Sequence, residues 1–237
     1  MQSTDLDPLA GQSDTRPDGP LRQLVIGSKN YSTWSMRPWV VLKAFHIPFE
    51  EILIVLDRPD TSAKIAHYSA AGRVPVLLDG PTVVWDSLAI CETLAEQFPE
   101  RGLWPKDPLA RATARAVTAE MHSGFADLRK AMWMNIRADF SGKGRTPGAQ
   151  ADIGRISEIW EDCFARVGAH RFLFGDFCIA DAFFAPVVMR FMTYGVALAP
   201  ALEAYCERVA AYPAVAEWRR DALAETFTAP RYDVYPD

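Results

Sequence analysis

The chain is poor in the residues that build metal and redox sites. Its 237 residues include four cysteines and four histidines. The cysteines are Cys91, Cys163, Cys178 and Cys206, and the histidines are His46, His67, His122 and His170. No Cys-x-x-Cys pair occurs, and neither set has the spacing of zinc ligands. The sequence therefore predicts reduced, buried thiols and no metal.

Long apolar runs and runs of basic residues are also missing. No stretch is long enough to span a membrane, and the first residues lack the charged-then-apolar pattern of a signal peptide. A net charge of −5 without a Lys/Arg run argues against nucleic acid or an anionic membrane as the main partner. We therefore expect a soluble, cytoplasmic protein.

Apolar residues make up 49% of the chain, which is ample for a packed core, and they follow two different periodicities. Residues 1–20 are rich in Asp, Ser, Pro and Gly, which predicts a disordered tail. Residues 21–99 show strand and helix patterns in the order β-α-β-α-β-β-α, whereas residues 108–237 show helical patterns only. Turn residues in 100–107 predict a linker. We expect an α/β domain followed by an all-α domain.

The second half contains several helical stripes. Apolar residues recur at helical spacing over residues 117–136 and again over residues 153–167. Residues 179–194 are apolar on almost every side, which predicts a buried central helix. Two further helices are expected from Leu202 and from Val215.

One turn in the first half combines several signals for a binding site. The run NYSTWSMRPW, residues 30–39, follows an apolar strand candidate and begins an amphipathic helix. The free N–H groups and positive end of such a helix favour an anion above Ser32, and a thiolate is one such anion. On this stretch alone, the simpler interpretation is that Ser32 and Ser35 are helix caps.

Three features in this order resemble the cytosolic glutathione transferases. They are the Arg73-Val74-Pro75 junction, the Asp86-Ser87 helix start and the all-helical second half. The run STWSMR, residues 32–37, is similar to the Ser-Ser-Cys-Ser-x-Arg run of the serine-type zeta class and its bacterial relatives. The resemblance extends from about Leu24 to the end of the chain. It implies a thioredoxin-like domain followed by a helical bundle domain.

The resemblance also implies residues that bind glutathione as a co-substrate. Ser32 would be the catalytic residue that contacts the glutathione sulfur. The backbone of Val74 would pair with the cysteinyl part, and Pro75 would be the cis-proline. Asp86 would meet the ammonium of the γ-glutamyl end, while Ser87 and the helix N-terminus would meet its carboxylate.

Three departures from the family pattern matter. Trp34 stands where the zeta pattern has cysteine, which puts the cis-trans isomerase chemistry of that class in doubt here. Gly72-Arg73 replaces a Lys-Gln type of pair, so contacts to the glycyl end of glutathione are open, although Trp34 and Arg73 are still expected in the glutathione site. Cys178 replaces a Ser or Thr three residues before Asp181, which predicts a weaker capping box.

The expected activity is conjugation of the glutathione thiolate to a small apolar electrophile, a detoxification reaction that needs no metal. Met121, His122 and Phe125 are expected to border the electrophile pocket, although Met121 and Phe125 also fit plain core positions. The alternatives are a glutathione-binding or scaffold module with this fold, and a zeta-like glutathione-dependent isomerase. A disulfide reductase ranks last because the turn that holds Ser32 has no cysteine. By analogy with the family we expect a homodimer.

A hydrogen bond from Ser32 is strong enough to lower the pKa of a thiol by the amount that the expected role requires. A free thiol has a pKa of about 8.5, and lowering it by two units takes roughly 2.7 kcal/mol. One charge-assisted hydrogen bond supplies about 1.5 to 3 kcal/mol. Tyr31 and Ser35 are rival donors, but we expect Tyr31 to point elsewhere and Ser35 to cap the helix.

Overall fold

A computed structural model describes residues 22–235. The tail predicted at residues 1–20 lies outside the described residues. The first part of the fold is a four-stranded sheet in the order β2-β1-β3-β4. Its strands are β1 (Gln23–Gly27), β2 (Glu50–Ile54), β3 (Val76–Asp79) and β4 (Thr82–Trp85). The β1 and β2 strands are parallel and the other two pairings are antiparallel, which is the mixed sheet of a thioredoxin-like domain.

Three helices cover the two faces of this sheet. They are α1 (Thr33–Ala44), α2 (Thr61–Tyr68) and α3 (Ser87–Gln97). Because successive side chains of a strand point to opposite faces, Leu24 and Ile26 join the large core with α1 and α3. Val25 lies between them and joins a smaller cluster with Ile65 of α2. The sequence prediction of an α/β first half is confirmed.

The rest of the described chain is helical. Its helices are α4 (Pro108–Ser123), α5 (Ala126–Ala131), α6 (Pro147–Val167), α7 (Ile179–Tyr194), α8 (Pro200–Ala211), α9 (Pro213–Ala224) and α10 (Pro230–Asp233). No helix within residues 22–235 is both long and apolar enough to cross a membrane. The linker expected at residues 100–107 stays a prediction; a short 3-10 helix (Pro99–Arg101) leads into this segment.

The periodicity of residues 117–136 suggested one long helix, but the structure does not form one. The α4 helix ends at Ser123, and Gly124 follows as its C-cap. Phe125 then has a left-handed backbone with φ of 62°, which a continuous right-handed helix excludes. Only the short α5 follows before an irregular segment that reaches α6. This break turns part of the apolar stripe toward the first half of the chain.

The α7 helix is the centre of the molecule, as its composition predicted. Almost all of its side chains are buried, and it packs against α1 and α4. Asp181 fixes its first turn, because the backbone N–H groups of Leu173 and Cys178 donate to its carboxylate at 3.1 and 3.0 Å. The Tyr205 hydroxyl donates to the same carboxylate at 2.9 Å. The carboxylate half of the capping box is therefore present despite the cysteine at the cap.

Candidate active site

The turn after β1 ends in the N-cap of α1. The cap is Ser32, whose Oγ accepts from the backbone N–H of Ser35 at 3.4 Å. The Ser32 hydroxyl donates to Ser35 Oγ at 2.7 Å, and Ser35 Oγ also accepts from the Gly27 N–H at 3.1 Å. The expectation that Ser35 caps the helix is therefore wrong, because Ser35 points back to the strand. Ser32 keeps a long cap bond and a hydroxyl that can rotate to another acceptor.

The neighbouring Tyr31 hydroxyl is held away from this turn. It donates to Asp233 Oδ1 at 2.6 Å and accepts from Arg137 Nη2 at 2.9 Å. It also accepts from the Ala229 backbone N–H at 3.1 Å. Desolvation by burial, with Asp233 second, raises the pKa of Tyr31. All three contacts hold the Tyr31 hydroxyl against the second half of the chain. The expectation was that this hydroxyl points elsewhere than the sulfur site, and these contacts agree with it.

The Val74–Pro75 junction faces the same turn. Its peptide bond is cis, as the resemblance implies. Val74 is half-buried and lines both cavities described below, while Pro75 is buried and lines the first.

Asp86 is the N-cap of α3, and its carboxylate serves two partners. Its Oδ1 accepts from the N–H groups of Leu88 and Ala89 at 2.8 and 3.2 Å. Its Oδ2 lies 3.2 Å from His122 Nε2. Asp86 has φ of 79°, a left-handed conformation that costs about 1 to 3 kcal/mol and tends to occur at functional sites.

Ser87 follows with a hydroxyl that has no partner. The residue is 1% exposed, and its Oγ makes no hydrogen bond to any of residues 22–235. An unsatisfied buried hydroxyl is uncommon and needs an explanation such as a missing ligand or water. Because Ser87 lines a cavity at a helix N-terminus, an anionic ligand group would satisfy it.

Two cavities meet at this place. The first has a volume of about 630 Å³ and the second about 420 Å³. Trp34, Arg73 and Val74 line both. The first cavity is completed by Ala71, Pro75, Trp85, Asp86, Ser87 and His122. The second is completed by Tyr31, Ser32, Thr33, Leu56, Asp57, Thr61, Ile65, Arg129, Trp133, Met134, Arg190, Arg231 and Tyr232.

Trp34 forms the partition between the two cavities. Its side chain is 37% exposed although it lies in the first turn of α1. The guanidinium groups of Arg37 and Arg129 lie 4.4 and 4.8 Å from its ring, which is within cation–π range. The Arg37 guanidinium also lies 4.7 Å from the Phe183 ring of α7. Trp34 is therefore held by the helical half of the molecule as well as by its own helix.

His122 belongs to the first cavity and links the two halves of the chain. Its Nδ1 accepts from Arg37 Nη1 at 3.4 Å, and its Nε2 faces Asp86 Oδ2. That geometry requires a neutral ring with the proton on Nε2. Desolvation by burial lowers the pKa of His122, and nearby Arg37 and Arg129 lower it further against the opposing effect of Asp86. The relay from Asp86 through His122 to Arg37 has no sequence signature, because its members come from three separate helices.

The other two residues expected at the electrophile pocket lie elsewhere. Met121 is fully buried and Phe125 is 7% exposed, and both belong to the main core. Neither lines the first or the second cavity. Met121 lies on the buried face of α4, and Phe125 follows that helix with a left-handed backbone. The alternative noted for these two positions, plain core, is the one observed.

The wall of the second cavity was missed by sequence reasoning. Arg129, Trp133 and Arg190 come from α5, the irregular segment after it and α7. Arg231 and Tyr232 come from α10, a helix of four residues that the periodicity did not indicate. A possible signal was Arg190, a charged residue in the interior of a mostly apolar helix.

Comparisons with known proteins fit this geometry. The model of the glutathione S-transferase N-terminal domain matches residues 31–97, and that of the C-terminal domain matches residues 111–221. A pyrimidodiazepine synthase from Drosophila melanogaster is 38% identical over 103 residues, which are 41% of this chain and 40% of that protein. A probable maleylacetoacetate isomerase from Caenorhabditis elegans is 33% identical over 102 residues, which are 41% of this chain and 48% of that protein. The matches thus span less than half the length of these curated relatives.

A solved structure covers more of the chain. A glutathione transferase homolog from Burkholderia GL BGR1, crystallised with bound glutathione, is 26% identical with a TM-score of 0.66. The similarity covers 87% of this chain and 100% of that chain. The two family models together match about three quarters of the residues, in the order that the fold requires. The chain belongs to the glutathione S-transferase family.

Proposed function

We propose that this protein conjugates the thiolate of glutathione to a small electrophile whose body is apolar. Glutathione would occupy the first cavity and the electrophile the second. The observation that carries the proposal is the arrangement around Val74, which lines both cavities, with Ser87 in one and Ser32 in the other. A thiol bound alongside Val74 would have its sulfur near Ser32, next to the space for the electrophile.

The γ-glutamyl end of glutathione suits the far end of the first cavity. Its carboxylate would accept from the unpartnered Ser87 hydroxyl, at the positive end of α3. Its ammonium would meet Asp86, whose side chain is 44% exposed and is free to accept further hydrogen bonds. Trp34 and Arg73 would line the remainder of the peptide.

Ser32 would stabilise the thiolate. Its hydroxyl donates to Ser35 Oγ, so a short rotation can redirect it to a sulfur in the second cavity. One charge-assisted hydrogen bond contributes about 1.5 to 3 kcal/mol, and the positive end of α1 adds about 0.3 to 1 kcal/mol. Together these are enough to lower the pKa of a thiol of about 8.5 by one to two units.

An isomerase is a second candidate function, because one similar protein is named a probable maleylacetoacetate isomerase. Trp34 weighs against it, since the zeta-class pattern has cysteine at this position of the turn. A scaffold without chemistry is a third candidate, and the unpartnered Ser87 hydroxyl weighs against that.

Two measurements separate these candidates. We expect the protein to be retained on immobilised glutathione and to be eluted by free glutathione. A pure scaffold would instead flow through. We also expect turnover with members of a panel of aryl halides, epoxides and isothiocyanates. Tight glutathione binding without any turnover would overturn the transferase reading, and turnover of a cis-dicarboxylate olefin to its trans isomer alone would favour the isomerase.

The quaternary structure and location belong to the same proposal. We propose a cytoplasmic homodimer, on analogy with the family. Light scattering at micromolar concentration tests the oligomeric state, where the mass of a single chain would contradict the dimer.

A further inference from the structure

Two buried arginines and a half-buried one lie close to Trp34, and none of them forms an ion pair with a carboxylate of residues 22–235. Arg37 is fully buried, Arg190 is 4% exposed, and Arg129 is half-buried. Within residues 22–235, no carboxylate lies within 4 Å of any of the three guanidinium groups. Such a group of buried like charges is unfavourable unless something compensates it. Among the described residues, the partners of these groups are main-chain carbonyl oxygens, the His122 ring and aromatic faces rather than carboxylates.

Burial disfavours the charged form of all three groups, and carboxylates act against this only for Arg129, through Asp152, and for Arg37, through Asp86. Desolvation by burial lowers the pKa of Arg190 to about 9, and Arg129 lowers it further by repulsion. Desolvation likewise lowers the pKa of Arg37, with repulsion from Arg129 and Arg190 as the next causes. Arg190 still carries its charge at neutral pH. An anion between these groups would relieve both the desolvation and the repulsion.

Two of the three arginines line the second cavity and have unpartnered donors, although the Nη1 of Arg129 is itself buried. Arg190 Nε donates to the Met132 carbonyl at 2.7 Å and Nη1 to the Pro186 carbonyl at 3.2 Å. Its Nη2 has no hydrogen-bond partner in the described part of the chain. Arg129 uses Nε and Nη2 on carbonyl groups, whereas its buried Nη1 has no partner there either. Both side chains line the second cavity.

Part of the remaining wall of that cavity is aromatic. Trp34, Trp133 and Tyr232 line it, and the ring centroids of Trp133 and Tyr232 are 6.4 Å apart. Among the described residues, its one acidic lining residue is Asp57, whose carboxylate already lies 3.2 Å from Arg231 at the same cavity. The cavity thus offers aromatic surface and spare positive charge together.

We propose that the second cavity takes an aromatic electrophile that carries a carboxylate, with the carboxylate between Arg190 and Arg129 and the ring against Trp34 and Trp133. This inference rests on the proposed transferase function and adds an acidic group to its apolar substrate. The planar guanidinium fork matches a carboxylate, which explains why arginine rather than lysine lines the wall. A volume of about 420 Å³ is within the range of pockets for small ligands.

The reaction can be written for a concrete probe, 4-chloro-3,5-dinitrobenzoate. The glutathione thiolate attacks the ring carbon that carries chlorine, and a carbon–sulfur bond forms. The carbon–chlorine bond then breaks, and chloride leaves with the bonding electron pair. No proton moves in this step, because the thiol lost its proton on binding, and the carboxylate is unchanged.

The turnover test compares this acid with its methyl ester, which is neutral but otherwise the same. Each kcat/KM is divided by the rate of the uncatalysed reaction with glutathione, which removes the difference in intrinsic reactivity. We expect the acid to be favoured about tenfold to a hundredfold, the range for a charge-assisted hydrogen bond. Equal corrected values, or a preference for the ester, would overturn the proposal.

Variants identify the residue responsible. Arg190→Met should lose about tenfold to a hundredfold in kcat/KM for the acid and leave the ester within about threefold. Arg190→Lys, which keeps the charge but not the fork, should lose less for the acid. Arg166→Met is the matched control, because Arg166 is exposed on α6 and lines neither cavity. An equal loss for acid and ester in Arg190→Met would mean a structural role only and would contradict the proposal.

A binding test on the unaltered protein avoids both folding defects and turnover. The protein is loaded with S-methylglutathione and titrated in a calorimeter with 3,5-dinitrobenzoate or its methyl ester, which have no leaving group. Tighter binding of the acid supports the carboxylate site even if no turnover is seen, a result that would count against the transferase function alone. Tighter binding of the ester, or equal binding, would overturn the carboxylate site even if both probes were conjugated.

Discussion

The two cavities on either side of Trp34 are built from different kinds of structure. The first presents charges and dipoles of both signs, from the Asp86 carboxylate, the Ser87 hydroxyl and the start of α3. The second presents guanidinium groups and aromatic rings, and its acidic residue Asp57 is already paired. A zwitterion fits the first, and an apolar body with negative charge fits the second. In the proposed function, the site would separate the two substrates by charge as well as by position.

The largest expected effect on the difference between the two cavities comes from neutralising the carboxylate of the first cavity. In Asp86→Asn we expect the KM for glutathione to rise about tenfold to a hundredfold, since a charged hydrogen-bond partner of the ammonium is lost. The amide oxygen can still cap α3, so the fold should persist. Steady-state kinetics with each substrate varied in turn measures the effect.

The acceptor side should be insensitive to that change. The KM for the electrophile in Asp86→Asn should stay within about threefold, whereas Arg190→Met should show the reverse pattern. Asp107→Asn is the matched control, because Asp107 caps α4 in the same way and lines neither cavity. A change in both KM values in either variant would contradict the separation of the cavities.

A comparable or smaller effect is expected from Ser87→Ala. A hydrogen bond from the neutral hydroxyl to a charged carboxylate contributes about 1.5 to 3 kcal/mol, so glutathione affinity should fall about tenfold to a hundredfold. The free energy of unfolding without glutathione should not fall, because the hydroxyl has no partner among residues 22–235. Calorimetric titration and urea unfolding measure the two quantities. A loss of stability without a loss of affinity would show that the hydroxyl has a structural role only.

The smallest expected effect is on the pH dependence of stability, through the contacts of Asp86, His122 and Arg37 that join the two halves of the chain. The folded-state pKa of His122 lies below its ordinary value of 6.5, chiefly because of burial. Folding therefore favours the neutral ring, whose stabilising contribution is present above pH 6.5 and is lost as the pH falls through the lowered pKa. We expect wild-type stability to fall more than that of His122→Gln between pH 7 and pH 5. Parallel urea titrations at both pH values would contradict this if the two proteins lost equal stability.

The residues at the helix starts of the site could be predicted from sequence. Ser32 caps α1 at the second cavity, whereas Asp86 and Ser87 begin α3 at the first, and a cap residue next to a periodic apolar run is visible in the chain itself. The sequence could not decide whether Ser32 or Ser35 caps the helix, because both hydroxyls lie within one turn. Only the direction of Ser35 toward Gly27 decides it.

The second cavity could not be predicted in this way. Its wall depends on the left-handed turn at Phe125, which ends the expected long helix and brings α5 and Arg129 to the site. It also depends on the short α10, where a four-residue helix leaves no periodicity to detect. Both are consequences of packing between distant segments, which a pattern within one segment does not contain.

The most direct test of the account is the pKa of glutathione bound to Ser32→Ala. Ultraviolet titration of the bound thiolate should give a pKa about one to two units higher than in wild type, with conjugation reduced to match and glutathione affinity within a few fold. Tyr31→Phe and Ser35→Ala are the matched controls and should leave the thiol pKa nearly unchanged. An unchanged pKa in Ser32→Ala, with a rise in either of the others, would contradict the assignment of Ser32 as the hydroxyl that stabilises the thiolate.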